Sequence, residues 1–154
     1  MPTFEAAIDI RAGADALFDL TQDYDRRLDW DPFLKEARLI GGAAAPALGV
    51  RAWCVARSGL GMETEYVSFQ RPHVAAVKMT RGPALFGSFA GSWRFKTVAP
   101  DTTRVVFRYH VTARPAWLRA LLDPIFCLVF ERDVVQRLEA LKRFAETTEL
   151  VAVR

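Results

Sequence analysis

Histidine and cysteine are scarce in this chain, with two of each among 154 residues. Neither histidine belongs to a series of Cys, His and Asp with ligand spacing, so we expect no metal site. His73 follows Pro72 in a turn, and His110 falls on the polar side of a strand, so both are expected at the surface. Cys54 and Cys127 each lie in an apolar run, which indicates buried free thiols rather than a disulfide framework.

Long hydrophobic runs and runs of one charge are also missing. The most apolar stretch, residues 125–130, is far too short to span a bilayer, and the N-terminal residues lack the apolar region of a secretory signal. The net charge is +3 and basic residues are scattered among acidic ones, which argues against nucleic acid as a partner. We therefore predict a cytoplasmic protein without an integral membrane segment, folded as one domain over residues 1–154.

What the chain does have is short segments in which apolar and polar residues alternate. Residues 4–10 predict a first strand, and residues 34–114 predict six more, broken by glycine, proline and Asp/Ser clusters at hairpin spacing. Two short helices fit between the first two strands. A stripe of Val134, Leu138 and Leu141 predicts a long amphipathic helix that ends near Thr147, separated from a shorter helix by a break at Asp123–Pro124. This order suggests a curved antiparallel sheet with the long helix across its concave face.

Several segments carry a resemblance to a known family. They are IDIRAGADALFDLTQDYDRRLDWDPF, Gly82–Pro83, FAGSWRF and TRVVFRYHV. With them the chain resembles the START-like helix-grip (SRPBCC) superfamily, in particular its polyketide cyclase/dehydrase and lipid transport group. Many relatives carry proline where this chain has Gly13, a minor departure. The resemblance implies an α+β helix-grip fold, with seven strands curved around a C-terminal helix and a deep apolar cavity between them. Members bind lipids, sterols, polyketides, quinones or plant hormones, and some are cyclases or dehydratases.

The alternation within each strand predicts which side chains line such a cavity. Aromatic residues should face inward in the sixth and seventh strands, and Glu63 and Glu65 should face water in the fourth, which turns Ser68 inward. The phase of the third strand is ambiguous. The predicted ligand-binding residues are Trp30, Phe33, Tyr66, Met79, Arg81, Phe89, Trp93, Phe107, Tyr109, Phe130 and Val134.

Few of these side chains suggest chemistry. The hydroxyl groups of Tyr66 and Tyr109 would each bind either a ligand carbonyl or water and backbone. Arg81 would need an anionic partner if it points inward, or it reaches solvent where the strand twists. Asp29 and Asp31, which flank a tryptophan, are better interpreted as fixing a turn at the cavity rim than as an acid/base pair. No catalytic residue, metal or cofactor is assigned.

The stretch from residue 115 to residue 130 is apolar almost all round, which leaves four alternatives. It is covered by other parts of the protein, or it forms a lid, a dimer contact or a peripheral contact with a membrane surface.

The predicted function is binding of a hydrophobic small molecule, such as a lipid, quinone or polyketide-like compound. The first alternative is an enzyme of the cyclase, aromatase or dehydratase type, and the second is an interaction module of the translation or quinone pathways. Polar side chains that converge inside the cavity would favour the enzyme, and a cavity filled by its own side chains would favour the interaction module.

Overall fold

The computed structural model describes residues 3–147, with the side chain of residue 127 left out. The chain begins with a strand and two short helices, continues with six strands, and ends with a single 3₁₀ turn and one long helix. The elements are β1 Thr3–Ile10, α1 Ala14–Gln22, α2 Arg27–Trp30, β2 Leu34–Leu39, β3 Arg51–Ala56, β4 Gly61–Gln70, β5 Val74–Arg81, β6 Phe86–Ala99, β7 Thr102–Ala113, the 3₁₀ turn Ala116–Leu118 and α3 Arg119–Thr147.

All seven strands form one antiparallel sheet in the order β1-β7-β6-β5-β4-β3-β2. The sheet curls around α3, whose apolar stripe of Val134, Leu138 and Leu141 is almost fully buried. The short helix α1 packs against the sheet in the same core, where Phe18 meets Phe95 edge-on with ring centroids 5.5 Å apart. The predicted α+β helix-grip fold, with two short helices between β1 and β2, is confirmed.

The predicted break at Asp123–Pro124 is wrong, because α3 continues through Pro124. Pro124 lies near the start of the helix, where a proline removes the one hydrogen bond that its missing N–H would have made to the carbonyl one turn earlier. Asp123 also holds this end of the helix against the sheet, since its Oδ1 accepts the backbone N–H of Ala113 at 2.9 Å. The helix reaches Thr147, the last residue that the structure describes, so the predicted end of the helix lies at the limit of the described residues and stays a prediction.

Two β-bulges between β4 and β5 change which side chains face the cavity. Glu63 pairs with Arg81 and Thr64 pairs with Met79, so Thr80 is the extra residue and Arg81 shares the outer face with Glu63. Arg81 is accordingly exposed, and the inward orientation that we considered for it is wrong.

A second prediction that fails concerns a side chain on the outer face of the sheet. Glu63, expected to face water, is 8% exposed because Thr80 donates to its carboxylate at 2.7 Å and Arg51 lies 3.6 Å from it. The second bulge follows Tyr66 and moves Phe69, rather than Ser68, into the core beside Phe18.

Within residues 3–147, no helix combines the length and the apolar character that crossing a membrane requires.

Candidate ligand cavity

A cavity of about 510 Å³ lies between the concave face of the sheet and α3. This volume is within the range of about 300–1,000 Å³ that is usual for small-molecule sites. One face of α3, from Ile125 to Arg137, lines the cavity and gives it a length of about 18 Å at about 1.5 Å of rise per residue. The opposite wall consists of inward-facing side chains of β3 to β7, so each strand contributes alternate residues to it.

Aromatic rings form most of the apolar wall. Phe86 lies 5.2 Å from Phe126 and 5.8 Å from Phe130, measured between ring centroids, and these three rings join the sheet to the first half of α3. Deeper in the cavity, the rings of Trp93 and Phe107 meet edge-on at 4.4 Å. Such edge-on contacts contribute to the packing of the rings in the wall beyond the area that they bury.

The ambiguous third strand is resolved by this wall. Cys54 and Ala56 line the cavity, whereas Trp53 lies on the other face and covers Gly61, where a Cβ atom would lie 2.5 Å from its ring. Cys54 is a half-buried free cysteine, and burial raises the pKa of its thiol above the ordinary value. The prediction for Cys127 concerns a side chain outside the described part of the structure.

The structure brings seven of the eleven predicted ligand-binding residues to the cavity wall. These seven are Phe33, Tyr66, Phe89, Trp93, Phe107, Tyr109 and Phe130. Four others do not line it. Trp30 is buried behind the wall against Trp93, Val134 is buried in the core, half-buried Met79 lies beside Gly82, and Arg81 is exposed on the outer face.

A buried ion-pair cluster at the inner end of the cavity was not predicted. Asp31 is 1% exposed, and its Oδ2 accepts hydrogen bonds from Arg27 at 2.9 Å and from two nitrogens of Arg137 at 3.1 and 2.9 Å. Its Oδ1 accepts the backbone N–H of Phe33 at 3.0 Å. Asp31 therefore holds the turn as expected, and in addition it joins α2 to α3.

Aromatic faces and hydroxyl groups hold the two arginines in place. Arg137 lies between the rings of Phe33 and Phe107, at 5.1 and 5.2 Å from their centroids, and also donates to the hydroxyl of Tyr109. Arg27 lies 5.2 Å from the ring of Trp30 and donates to the backbone carbonyl of Thr21 at 3.0 Å. Cation–π contacts of this kind strengthen as water is excluded.

The cluster determines the ionisation of its members. Burial disfavours the charged form of Asp31, but Arg137 and Arg27 outweigh burial and hold the pKa of Asp31 below its ordinary value. Burial likewise opposes the charge on each arginine, and Asp31 is the main reason that the pKa of both is raised instead. Burial raises the pKa of Tyr109. All three ionic groups are therefore charged at neutral pH.

A second polar group lies beside this cluster. The hydroxyl of Tyr66 donates to Oε1 of Gln22 at 2.7 Å, and because that uses its one proton, the hydroxyl of Tyr24 donates to Tyr66 at 2.9 Å. Burial and then the neighbouring Tyr24 raise the pKa of Tyr66 well above its ordinary value. Both tyrosines line the cavity as neutral hydrogen-bonding groups.

The mouth of the cavity has the opposite character. Leu60, Ile125 and Val129 line it and are 54%, 49% and 52% exposed. Next to them on the same stretch, Trp117 and Leu128 are 79% and 71% exposed. The first of the four alternatives for residues 115–130, coverage by the rest of the chain, is therefore wrong for these side chains.

Sequence reasoning missed Arg27 and Arg137, because their neighbours in the sequence are typical of surface residues. Arg137 stands three residues after Val134 and four before Leu141 of the buried stripe, and this helical spacing is the available signal that it faces inward. Arg27 is one of two adjacent arginines in a polar segment, which typically indicates exposure. No group of three or more His, Cys, Asp or Glu within the described residues could hold a metal ion.

A curled sheet that grips a helix around an aromatic cavity defines a helix-grip protein of the START-like class. The chain belongs to the family of polyketide cyclase / dehydrase and lipid transport proteins, whose family model matches residues 1–146. No curated protein is detectably similar in sequence.

Solved structures with the same fold are distant in sequence. A START superfamily protein from Mycobacterium smegmatis is 12% identical with a TM-score of 0.80, covering 95% of this chain and 98% of its own. The Zhui aromatase/cyclase from Streptomyces sp. R1128 is 20% identical with a TM-score of 0.76, covering 94% and 93%. Norcoclaurine synthase from Thalictrum flavum is 12% identical with a TM-score of 0.69, covering 94% and 86%. At these identities the likeness shows the fold alone.

Proposed function

We propose that this protein binds a hydrophobic small molecule, such as a lipid, quinone or polyketide-like compound, in the cavity between the sheet and α3. The observation that carries the proposal is an unfilled cavity of about 510 Å³ with aromatic walls and an exposed apolar mouth. A cavity with aromatic walls leaves apolar surface in contact with water, and a hydrophobic ligand that covers this surface is bound favourably. The same observation disfavours the interaction module, which needs no cavity.

Native mass spectrometry of gently purified protein, followed by thermal-shift assays with a panel of lipids and quinones, tests this proposal. We expect a bound apolar molecule, or a raised melting temperature with at least one class of compound. Val77→Trp fills the cavity from β5 and should abolish the shift. Val67→Trp is the matched control on β4, since Val67 is 45% exposed and lies outside the cavity, and it should leave the shift unchanged. Absence of any bound molecule and any shift would contradict the proposal.

A second candidate function, an enzyme of the cyclase or dehydratase type, is favoured by the polar groups that converge on the cavity. Tyr109 lines the same space as Arg27 and Arg137 and accepts a hydrogen bond from Arg137, so its own proton can polarise a ligand carbonyl oxygen in the desolvated cavity. Enclosure would also fold a flexible chain so that its reacting carbons meet.

Incubation with a poly-β-keto thioester, followed by mass spectrometry, tests this candidate. Aldol closure and dehydration would produce a ring with loss of one water, faster than in buffer. Tyr109→Phe should slow this reaction, whereas Tyr24→Phe leaves the Tyr109 hydroxyl in place and is the control. Equal rates with protein and with buffer would leave binding alone as the function. The cytoplasmic location and the single domain over residues 1–154 stay predictions.

A further inference from the structure

The inner end of the cavity holds more positive than negative charge. Two guanidinium groups and one carboxylate, from Arg27, Arg137 and Asp31, are almost fully buried there. Buried charges are ordinarily paired, because an unpaired charge away from water costs several kcal/mol. The cluster therefore carries a net positive charge next to an apolar cavity that both arginines line.

The donors of Arg27 are not all used. Its Nε donates to Asp31 and its Nη1 donates to the carbonyl of Thr21, whereas its Nη2 donates to no acceptor within the described residues. Among the described residues, one buried side-chain nitrogen or oxygen has neither a hydrogen-bond partner nor accessible area, and it is the indole nitrogen of Trp30. The side chain of Arg27 is 8% exposed, and the residue is part of the cavity wall.

Asp133 is an acidic side chain on the cavity wall itself, and it does not neutralise the two arginines. It lies one helical turn before Arg137, but no ion pair within 4.0 Å joins them in the described part of the chain. Burial raises the pKa of Asp133 despite the nearby Arg137. An anion bound at the arginines would be opposed by the Asp133 carboxylate.

We infer that Arg27, backed by Arg137, binds a negatively charged oxygen group at one end of the hydrophobic ligand, so that the ligand is an amphipathic anion such as a carboxylate. This inference rests on the proposed function and specifies its ligand class. The N–H groups of Nη2 can donate to a carboxylate oxygen, and such charge-assisted hydrogen bonds are strong in a desolvated site. The aromatic wall from Trp93 to Phe130 would hold the apolar part of the ligand toward the mouth.

Calorimetric titration of the full chain with dodecanoate and with dodecanamide tests the inference, because the two probes share a chain and differ in head-group charge. We expect dodecanoate to bind at least about tenfold more tightly, which corresponds to one charge-assisted contact. Arg27→Gln should remove this preference, since Asp31 and Arg137 still form a neutral pair and no uncompensated positive charge remains. Arg94→Gln is the matched control, because Arg94 is exposed and lies outside the cavity, and it should preserve the preference.

Asp133→Asn supplies a variant with the opposite sign and leaves the ion-pair cluster untouched. Removal of the opposing carboxylate should tighten dodecanoate binding several-fold without changing dodecanamide binding. Equal affinities of wild-type protein for the two probes would overturn the inference while the proposed function stands. Binding of neither probe would also overturn the inference, and the native mass spectrometry and the lipid and quinone panel then decide the proposed function separately. Circular dichroism of each variant establishes that it is folded, and the wild-type comparison and Asp133→Asn decide the question if Arg27→Gln is not.

Discussion

The two ends of the cavity reverse the usual distribution of side chains in a globular protein. At the mouth, large apolar side chains are exposed, with Trp117 at 79% and Leu128 at 71%. At the inner end, Arg27 and Arg137 are each 6% exposed and Asp31 is 1% exposed. Ordinary folding would bury the first group and solvate the second. Both departures occur at one cavity, which is where a protein tends to give up local stability for function.

The difference also shows what holds each end together. The inner end depends on three ionic groups. Each is tolerated in the interior only beside a group of opposite charge, because it would otherwise be an isolated buried charge. The mouth depends on backbone and ring contacts, such as that of Phe86 with Phe126, and its exposed side chains contribute little to folding. Substitutions at the two ends should therefore differ sharply in cost.

Asp31→Asn should have the largest effect on stability. It leaves two buried guanidinium groups without a counter-charge, and the loss of one partner of a buried pair typically costs about 3–5 kcal/mol. Urea unfolding of both proteins measures the change in the free energy of unfolding. Asp29→Asn is the matched control from the same turn, since Asp29 is exposed, and it should cost less than about 0.5 kcal/mol. Equal costs for the two substitutions would contradict the role of Asp31 at the inner end.

The pH dependence of the free energy of unfolding should reveal the contribution of the Asp31 carboxylate. The pKa of Asp31 is lower in the folded protein than in the unfolded chain, so the unfolded chain binds its proton first as pH falls. The contribution of Asp31 is therefore complete above about pH 4, the unfolded value for aspartate, and is lost as pH falls through the lower folded pKa. Urea unfolding from pH 7 downward should show this acid loss in the wild type.

The exposed pair of Asp9 and Arg104 provides the control for that experiment. Its hydrogen bond to Arg104 lowers the pKa of Asp9 as well, but solvent screens the pair. Asp9→Asn should therefore leave most of the acid loss in place, whereas Asp31→Asn should flatten it. An unchanged acid loss in Asp31→Asn would show that other carboxylates cause it.

Much of the fold was predictable because it follows from residue patterns that are local in sequence. The alternation in Phe107 and Tyr109, and the stripe that begins at Val134, each report burial directly, and both were assigned correctly. The orientation of Arg81 was not predictable in this way. A single extra residue, Thr80, reverses the phase of everything after it, and no property of Thr80 itself marks a bulge.

The charged end of the site was harder to predict for a different reason. Asp31 and Arg137 are 106 residues apart in the sequence. Each of the three charged residues, taken alone, has the character of an ordinary surface residue. Their burial becomes favourable only when all three are together, so local pattern cannot reveal it. The aromatic wall needs no such coincidence, since each ring favours burial by itself.

Trp117→Ala should have the smallest effect, and it tests the mouth. A side chain that is 79% exposed loses little burial on truncation, so the free energy of unfolding should change by less than about 0.5 kcal/mol. Leu128→Ala, at 71% exposed, should behave in the same way. Urea unfolding at low and high protein concentration measures both. A cost of about 2 kcal/mol or more that grows with concentration would mean that these side chains are covered by a second copy of the chain, and the contrast between an exposed mouth and a buried charged end would then fail.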